Sequence, residues 1–251
     1  MRSLVYRMHL NREEIERELV GSLEWHYFSP SSFAQYCALV PLIKRYVRGK
    51  TIDLGCGFMP FQRYLKEAAA VYHTLDLYPR SPYEITYIGD IQDMSMIMDD
   101  SYDCALCLEV LEHVPRPARA IREIYRILKP GGLLIFSTPY LCRIHDQPHD
   151  YFRFTVYGLN MILAECQFKI IEIKPRGGLM SFLGHQVSTV LLTTAWSFKE
   201  VFRIAWVFNK WMVTRLWYEM DRILGHWDIF PLGYVGVAQK PISPSSDKTG
   251  I

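Results

Sequence analysis

The chain has 251 residues, half of them hydrophobic, and its 28 basic against 26 acidic side chains leave a formal charge of +2. Disordered, collagen-like and disulfide-stapled classes are excluded by that composition, and the near balance of charge argues against a nucleic-acid protein relying on a broad basic field. The six cysteines, spread along the chain, read as reduced, buried thiols, and the charged opening stretch lacks an apolar segment of export-signal length, so a cytosolic site is expected.

In chain order, residues 1–47 read as an N-terminal helical cap. From 48 to 175, short apolar runs alternate with helical patterns, the pattern of an α/β fold with a parallel, Rossmann-like sheet. A strand over 51–54 ends in Gly55-Cys56-Gly57, and a helix follows over 61–67. Further strands are expected at 72–75, 85–88, 104–108 and 133–137. Between the last two, Pro117 opens a helix whose Ile121, Ile124 and Leu128 share one face, and Lys129-Pro130-Gly131-Gly132 stops it. Thr155 caps a helix reaching about Cys166, followed by a strand at 168–173. Residues 176–230 form an aromatic helical insert, 231–242 hold a final strand at 233–239, and 243–251 read as a disordered tail.

Gly55 and Gly57 stand where a strand turns into a helix, so backbone N–H groups can approach a ligand that a side chain would hold off. Asp76 ends the next strand, where a carboxylate can accept hydrogen bonds from ribose hydroxyls. Position 60 is Pro rather than the third glycine of a dinucleotide fingerprint, and no Lys-Ser/Thr pair follows the glycines. The expected ligand therefore has an adenosine and no pyrophosphate. Asp53, inside the first strand, reads as structural.

Five blocks carry a resemblance: Ile52-Asp53-Leu54-Gly55-Cys56-Gly57, Leu75-Asp76-Leu77, Gly89-Asp90-Ile91, the run from Tyr102 through Leu108-Glu109 to Glu112-His113-Val114, and Leu128-Lys129-Pro130-Gly131-Gly132. Their order and spacing are similar to class I S-adenosylmethionine-dependent methyltransferases of the type 11 group, over about residues 48–175. The resemblance implies that Gly55, Cys56 and Gly57 pass under the methionine part of S-adenosyl-L-methionine. It puts Asp76 with Leu77 at the ribose, Asp90 with Ile91 at the adenine, and Leu108-Glu109 beside the methionine amino group. The departure is Met59, where many relatives have a third glycine.

Cys104 and Cys107 sit three apart on a strand, facing opposite sides, with no second pair, so no metal is expected there or elsewhere. After the fifth strand of the core comes a loop with His145, His149, Asp150, Tyr151, Arg153 and Thr155, similar to a subgroup of the type 11 enzymes. An oxygen acceptor must lose its proton, which makes His145 or His149 the expected base, Asp150 its orienter and His113 the runner-up. The other reading is a local network of Asp150, Tyr151 and Arg153 that folds the loop. Methyl transfer to a hydroxyl or amine of a lipid-linked, glycan-like or small-metabolite acceptor is expected. The alternatives are a quinone-ring C-methyltransferase and a non-catalytic scaffold subunit; no nucleic-acid partner is expected.

The insert holds Trp196, Trp206, Trp211, Trp217 and Trp227, five of the six tryptophans. Residues 179–198 carry no Asp, Glu, Lys or Arg, and 201–220 mix aromatics with Arg203, Lys210 and Arg215. Three readings stay open: contact with a membrane surface through residues 179–218, a lid over an apolar acceptor, and a homodimer interface. The first implies a cytoplasmic protein held peripherally at the inner face of a membrane. By family analogy, the cap brings Trp25, His26, Tyr27 and Phe28 near the cofactor.

Overall fold

The structure is a computed structural model and describes residues 4–19, 21–79, 84–225 and 228–242. Trp227 and the expected tail lie outside the described residues.

The chain is α/β. It begins with α1 (Leu4–Leu19), a short 3₁₀ turn (Leu23–Tyr27) and α2 (Pro30–Tyr46). The strand and helix alternation then runs β1 (Lys50–Leu54), α3 (Gln62–Ala68), β2 (Val71–Asp76), β3 (Tyr87–Ile88), β4 (Tyr102–Leu108), α4 (Pro117–Ile127), β5 (Leu128–Pro139), α5 (Val156–Glu165) and β6 (Lys169–Arg176). Next come α6 (Leu179–Ala195), α7 (Lys199–Phe208), a π-helical stretch (Asn209–Arg215) and α8 (Leu216–Leu224), before the closing strand β7 (Gly233–Gln239).

The strands form one sheet in the order β3-β2-β1-β4-β5-β7-β6. β1 pairs in parallel with β2 on one side and β4 on the other, and β4 pairs in parallel with β5. Strand order reverses beside β1, which opens a crevice at the carboxyl ends of β1, β2 and β4. β1 is buried from Thr51 to Leu54, as a strand covered on both faces must be.

Two compact units result, Val40–Lys174 with Tyr234–Ile251 and Met1–Leu39 with Pro175–Gly233. In the sheet unit, Ile52, Leu54, Leu75, Leu134 and Phe136 pack with Ile121, Ile124 and Ile127 of α4 and with Leu159 and Leu163 of α5. Each fully buried isoleucine of that seam contributes about 1.5–3 kcal/mol. Pro117 occupies the first turn of α4, and the Thr155 hydroxyl accepts from the Gly158 N–H to start α5.

Two elements depart from the sequence expectation. The Lys129-Pro130-Gly131-Gly132 stop belongs to β5, because Gly131 N–H donates to Lys240 C=O at 2.8 Å and Lys240 N–H returns to Gly132 C=O at 2.9 Å. The strand expected at 85–88 narrows to Tyr87–Ile88, which pairs only with Leu75 and Asp76.

In the helical unit, Ile15 and Phe28 are buried against Leu192, Ala195 and Ala205. The first turn of α6 is closed by a residue far along the chain: Gly178, Met180 and Ser181 N–H groups all donate to the buried Asp221 carboxylate, at 2.8, 2.8 and 2.7 Å. A carboxylate there satisfies three otherwise orphaned donors and complements the helix dipole.

Candidate active site

The loop after β1 is fastened to the end of β2 by its backbone. Gly55 and Cys56 N–H groups both donate to the Leu75 C=O, at 2.8 and 3.1 Å. Gly55 has φ +66°, and an added Cβ would lie 2.6 Å from a Val110 methyl, so any larger residue is excluded by conformation and space together. Gly57 is also left-handed at φ +53°, yet a Cβ there would meet nothing closer than the Gly55 oxygen at 3.9 Å. The turn thus leaves open space beside Gly57, a cradle for a ligand.

Asp76 is buried and closes this cradle: Oδ2 accepts the Gly57 N–H at 2.8 Å and Oδ1 the Tyr78 N–H at 3.2 Å. A carboxylate is an acceptor with several lone-pair sites, the chemistry that ribose hydroxyls require. Met59 stands at the position of the expected third glycine and adopts the conformation a glycine would take, φ +54°, while its side chain is buried. Leu77 is exposed and Ile91 buried.

Asp90 is organised by Gln92, whose backbone N–H reaches Oδ1 at 2.8 Å and whose side-chain amide reaches Oδ2 at 2.9 Å. A cleft of about 510 Å³ opens here, lined by Asp90, Gln92, Asp93, Pro115, Arg116 and Arg119. Leu108 ends β4, and Glu109 follows at φ +54° with its N–H donating to Ser137 C=O at 3.0 Å. Asp53 is buried within β1 and accepts the Tyr72 hydroxyl at 3.0 Å; burial pushes its carboxyl up to about 7. Cys104 and Cys107 are free, fully buried thiols whose pKa values burial pushes up.

β4 and β5 are parallel neighbours with Leu108 opposite Ser137, so the segments that follow them meet at one edge. Tyr151 and Phe152 N–H groups donate to the Glu112 C=O at 2.9 and 3.2 Å and hold the loop after β5 against the turn after β4. The His113 and His145 rings consequently lie edge to face with centroids 4.7 Å apart. His113 Nδ1 donates to the His149 C=O at 2.7 Å, and its Nε2 lies 3.7 Å from both Glu112 Oε1 and Asp146 Oδ2.

His145 Nδ1 faces the Arg143 C=O at 3.2 Å and Asp150 Oδ2 at 3.4 Å, both acceptors, which puts its proton on Nδ1 and leaves Nε2 as the basic nitrogen. Burial lowers its pKa, the charge of nearby His113 adding to the effect. Asp150 accepts the His145 backbone N–H at 3.0 Å and is gripped by both Arg153 terminal nitrogens, with Nη2 at 2.7 Å from Oδ2. The Arg153 pairing holds the Asp150 carboxyl down at about 2. His149 is exposed and its Nδ1 lies 3.0 Å from the Tyr151 hydroxyl. Asp150 and Arg153 therefore form the loop-folding network and also orient His145, while His149 contributes its carbonyl.

Glu112, Gln92 and Arg116 were not among the residues expected at the site. Glu112 had a readable signal, a Glu-His pair in the turn four residues past the end of β4; Gln92 and Arg116 had none, since they are placed by the Gln92 side chain accepting the Arg116 N–H at 3.2 Å. Glu112, His113 and His145 each offer a ligand atom, all within 4.8 Å of one another, a donor set suited to a divalent transition metal.

Residues 52–136 match a methyltransferase domain family, Methyltransf_11. Over 127 residues the chain is 32% identical to the ubiquinone biosynthesis O-methyltransferase of Pseudomonas savastanoi pv. phaseolicola, covering 45% of this chain and 52% of that protein. The chain thus spans about half the length of this curated relative. Among solved structures, an S-adenosylmethionine-dependent methyltransferase from Archaeoglobus fulgidus superposes with a TM-score of 0.56 at 17% identity, covering 91% of this chain and 99% of that one. The [4+2]-cyclase SpnF superposes at 0.54 with 18% identity, covering 82% and 81%. At such identities these two likenesses concern the fold alone.

Proposed function

Starting from a chain that carries a class I S-adenosylmethionine-dependent methyltransferase domain of the type 11 group, we propose that it methylates a hydroxyl of a small or lipid-linked acceptor, with His145 as the base. The observation that carries this reading is the His113 and His145 pair, 4.7 Å apart, beyond the carboxyl ends of β4 and β5. The curated relatives, named as O-methyltransferases, support a hydroxyl over an amine.

The open space beside Gly57 and the buried Asp76 carboxylate suit a ligand that carries ribose hydroxyls. Gly55, Cys56 and Gly57 would lie under its methionine part, Asp76 and Leu77 at the ribose, Asp90 and Ile91 at the adenine, and Leu108 and Glu109 at its amino group. When bound, S-adenosylmethionine supplies an electrophilic methyl on sulfonium sulfur. His145 Nε2 would take the acceptor hydroxyl's proton, leaving its oxygen free to receive the methyl. Asp150 Oδ2, 3.4 Å from His145 Nδ1, then stabilises the imidazolium. Holding the acceptor in line with the methyl supplies much of the remaining acceleration.

The test is transfer of radiolabelled methyl from S-adenosylmethionine into a total lipid and small-metabolite extract, followed by identification of the labelled atom. An oxygen-linked methyl that disappears with His145→Ala supports the reading. Label on a ring carbon, or cofactor binding with no transfer to any fraction, overturns it.

A further inference from the structure

The helical unit has an outward face that its own packing leaves apolar. Residues 199–224 form one unbroken helical run, α7, the π-helical stretch and α8, extending roughly 40 Å at the usual rise. Its inward side is marked by buried Ala205, Asn209, Val213, Thr214, Tyr218 and Asp221. Asn209 Nδ2 donates to the Phe28 C=O at 3.1 Å, and the Thr214 hydroxyl to the Tyr27 C=O at 3.1 Å. Away from these lie exposed Ile204, Val207, Trp211, Leu216 and Ile223.

The π-helical stretch keeps that outward face in phase. In an α-helix, Trp211 and Leu216, five residues apart, would point about 140° from each other. The wider turn, bonded i to i+5, brings them back toward one side. A helix widened in the middle of the run thus brings Leu216 nearer the side of Trp211 than a regular one would.

The tryptophans divide accordingly. Trp196 and Trp206 indole N–H groups donate to Glu14 at 2.8 Å and Glu24 at 3.1 Å, and the Trp217 ring packs against Gly184. These three serve the packing of the unit. Trp211 is 53% exposed, and the Arg215 guanidinium lies 5.0 Å from its ring centre.

Across the run, Lys210 is turned inward onto Glu24 at 2.7 Å, whereas Arg203 and Arg222 make only exposed pairs with Glu200 and Glu219, at 3.3 and 2.8 Å, which other anions can displace; Lys199 and Arg215 are exposed beside them, and Asp221 is buried under α6. Within the described residues no helix is long and apolar enough to cross a membrane, so the face can lie on a bilayer and not through it. A second copy is the poorer occupant, because its contact would have to take the exposed Arg203, Arg215 and Arg222 guanidiniums out of water. At a lipid surface the same side chains extend to the phosphates while their stems stay with the apolar stripe.

We propose that the outer face of residues 199–224 docks on an anionic lipid surface, with Ile204, Trp211, Leu216 and Ile223 among the acyl chains and the neighbouring cations at the headgroup phosphates. This stands independently of the methyl-transfer reading.

Vesicle flotation of the full chain is the test, using phosphatidylcholine vesicles with and without phosphatidylglycerol. The chain is expected to float with the anionic vesicles, less with the neutral ones, and its tryptophan emission to shift to the blue. Joint replacement Ile204→Glu and Trp211→Glu should cut the floated fraction at least tenfold while circular dichroism stays unchanged, and Trp211→Phe should reduce the emission shift. Wild-type protein that stays at the bottom with both vesicles overturns the proposal. So does a double variant that floats like wild type, or a dimer that the double variant dissolves with no lipid binding in either form.

Discussion

The Gly57 amide donates to Asp76 Oδ2 at 2.8 Å, joining the loop after β1 to the end of β2 across 19 residues. Asp76 thus shapes the cradle as well as offering its carboxylate to a ligand. Asp76→Ala should weaken S-adenosylmethionine binding at least tenfold, read by titration calorimetry. Loss of the buried acceptor should also cost about 1–3 kcal/mol in a urea melt. Asp76→Asn keeps one acceptor oxygen and should fall between the two in both measurements.

Met59 predicts an inverted order of substitutions. A left-handed residue other than glycine costs about 1–2 kcal/mol, while burying the methionine side chain returns about 1.5–3 kcal/mol. Burial wins, which explains a methionine in a glycine's conformation at φ +54°. Met59→Ala loses the burial and keeps the strain; Met59→Gly loses the burial and relieves it. Denaturant melts should therefore find Met59→Gly the more stable of the two, opposite to their order in ordinary backbone.

The glycine turn was legible because backbone conformation and residue type coincide there. Gly55 and Gly57 have positive φ and Asp76 ends β2, as the sequence pattern and the family resemblance led one to expect. The parallel order of β1, β2, β4 and β5 followed from the alternation of apolar runs and helical patterns. The histidines after β4 and β5 were legible only as a cluster. Which histidine is oriented by Asp150 depends on the loop's internal hydrogen bonds, and His145 and His149 look alike in the sequence. The π-helical stretch at Asn209–Arg215 carried no signal, because its residue types are compatible with an ordinary helix and tertiary packing of Asn209 and Thr214 sets it.

Asp53 gives a pH-dependent prediction. Its carboxyl is raised from 3.8 to about 7 in the folded chain, first by burial, so the folded state holds a proton that the unfolded state releases. Its contribution to stability is therefore lost as pH rises from about 4 to 7, and is level above that. Asp53→Asn removes this loss and retains an acceptor for the Tyr72 hydroxyl. The melting temperature of the variant relative to wild type should climb between pH 5 and 7 and then plateau; a constant difference across that range would contradict a neutral Asp53.

The last prediction separates the histidines. A positioned general base contributes roughly 10²–10⁴-fold, so His145→Ala should lower turnover by at least about that lower bound with little change in cofactor affinity. His149→Ala should cost far less, since His149 reaches the cluster through its carbonyl, which alanine keeps. His145 must be neutral to accept a proton, and burial holds its pKa below the usual 6.5. The rate should consequently hold down through pH 6.5 and fall only at more acidic values. Asp150 opposes that lowering, because its negative charge favours the imidazolium. Asp150→Asn should move the acidic limb of the rate profile further down while reducing maximal turnover. Initial rates across pH 5–9 for the wild type and both variants test this, and an acidic limb that moves upward in Asp150→Asn would exclude His145 as the group that titrates.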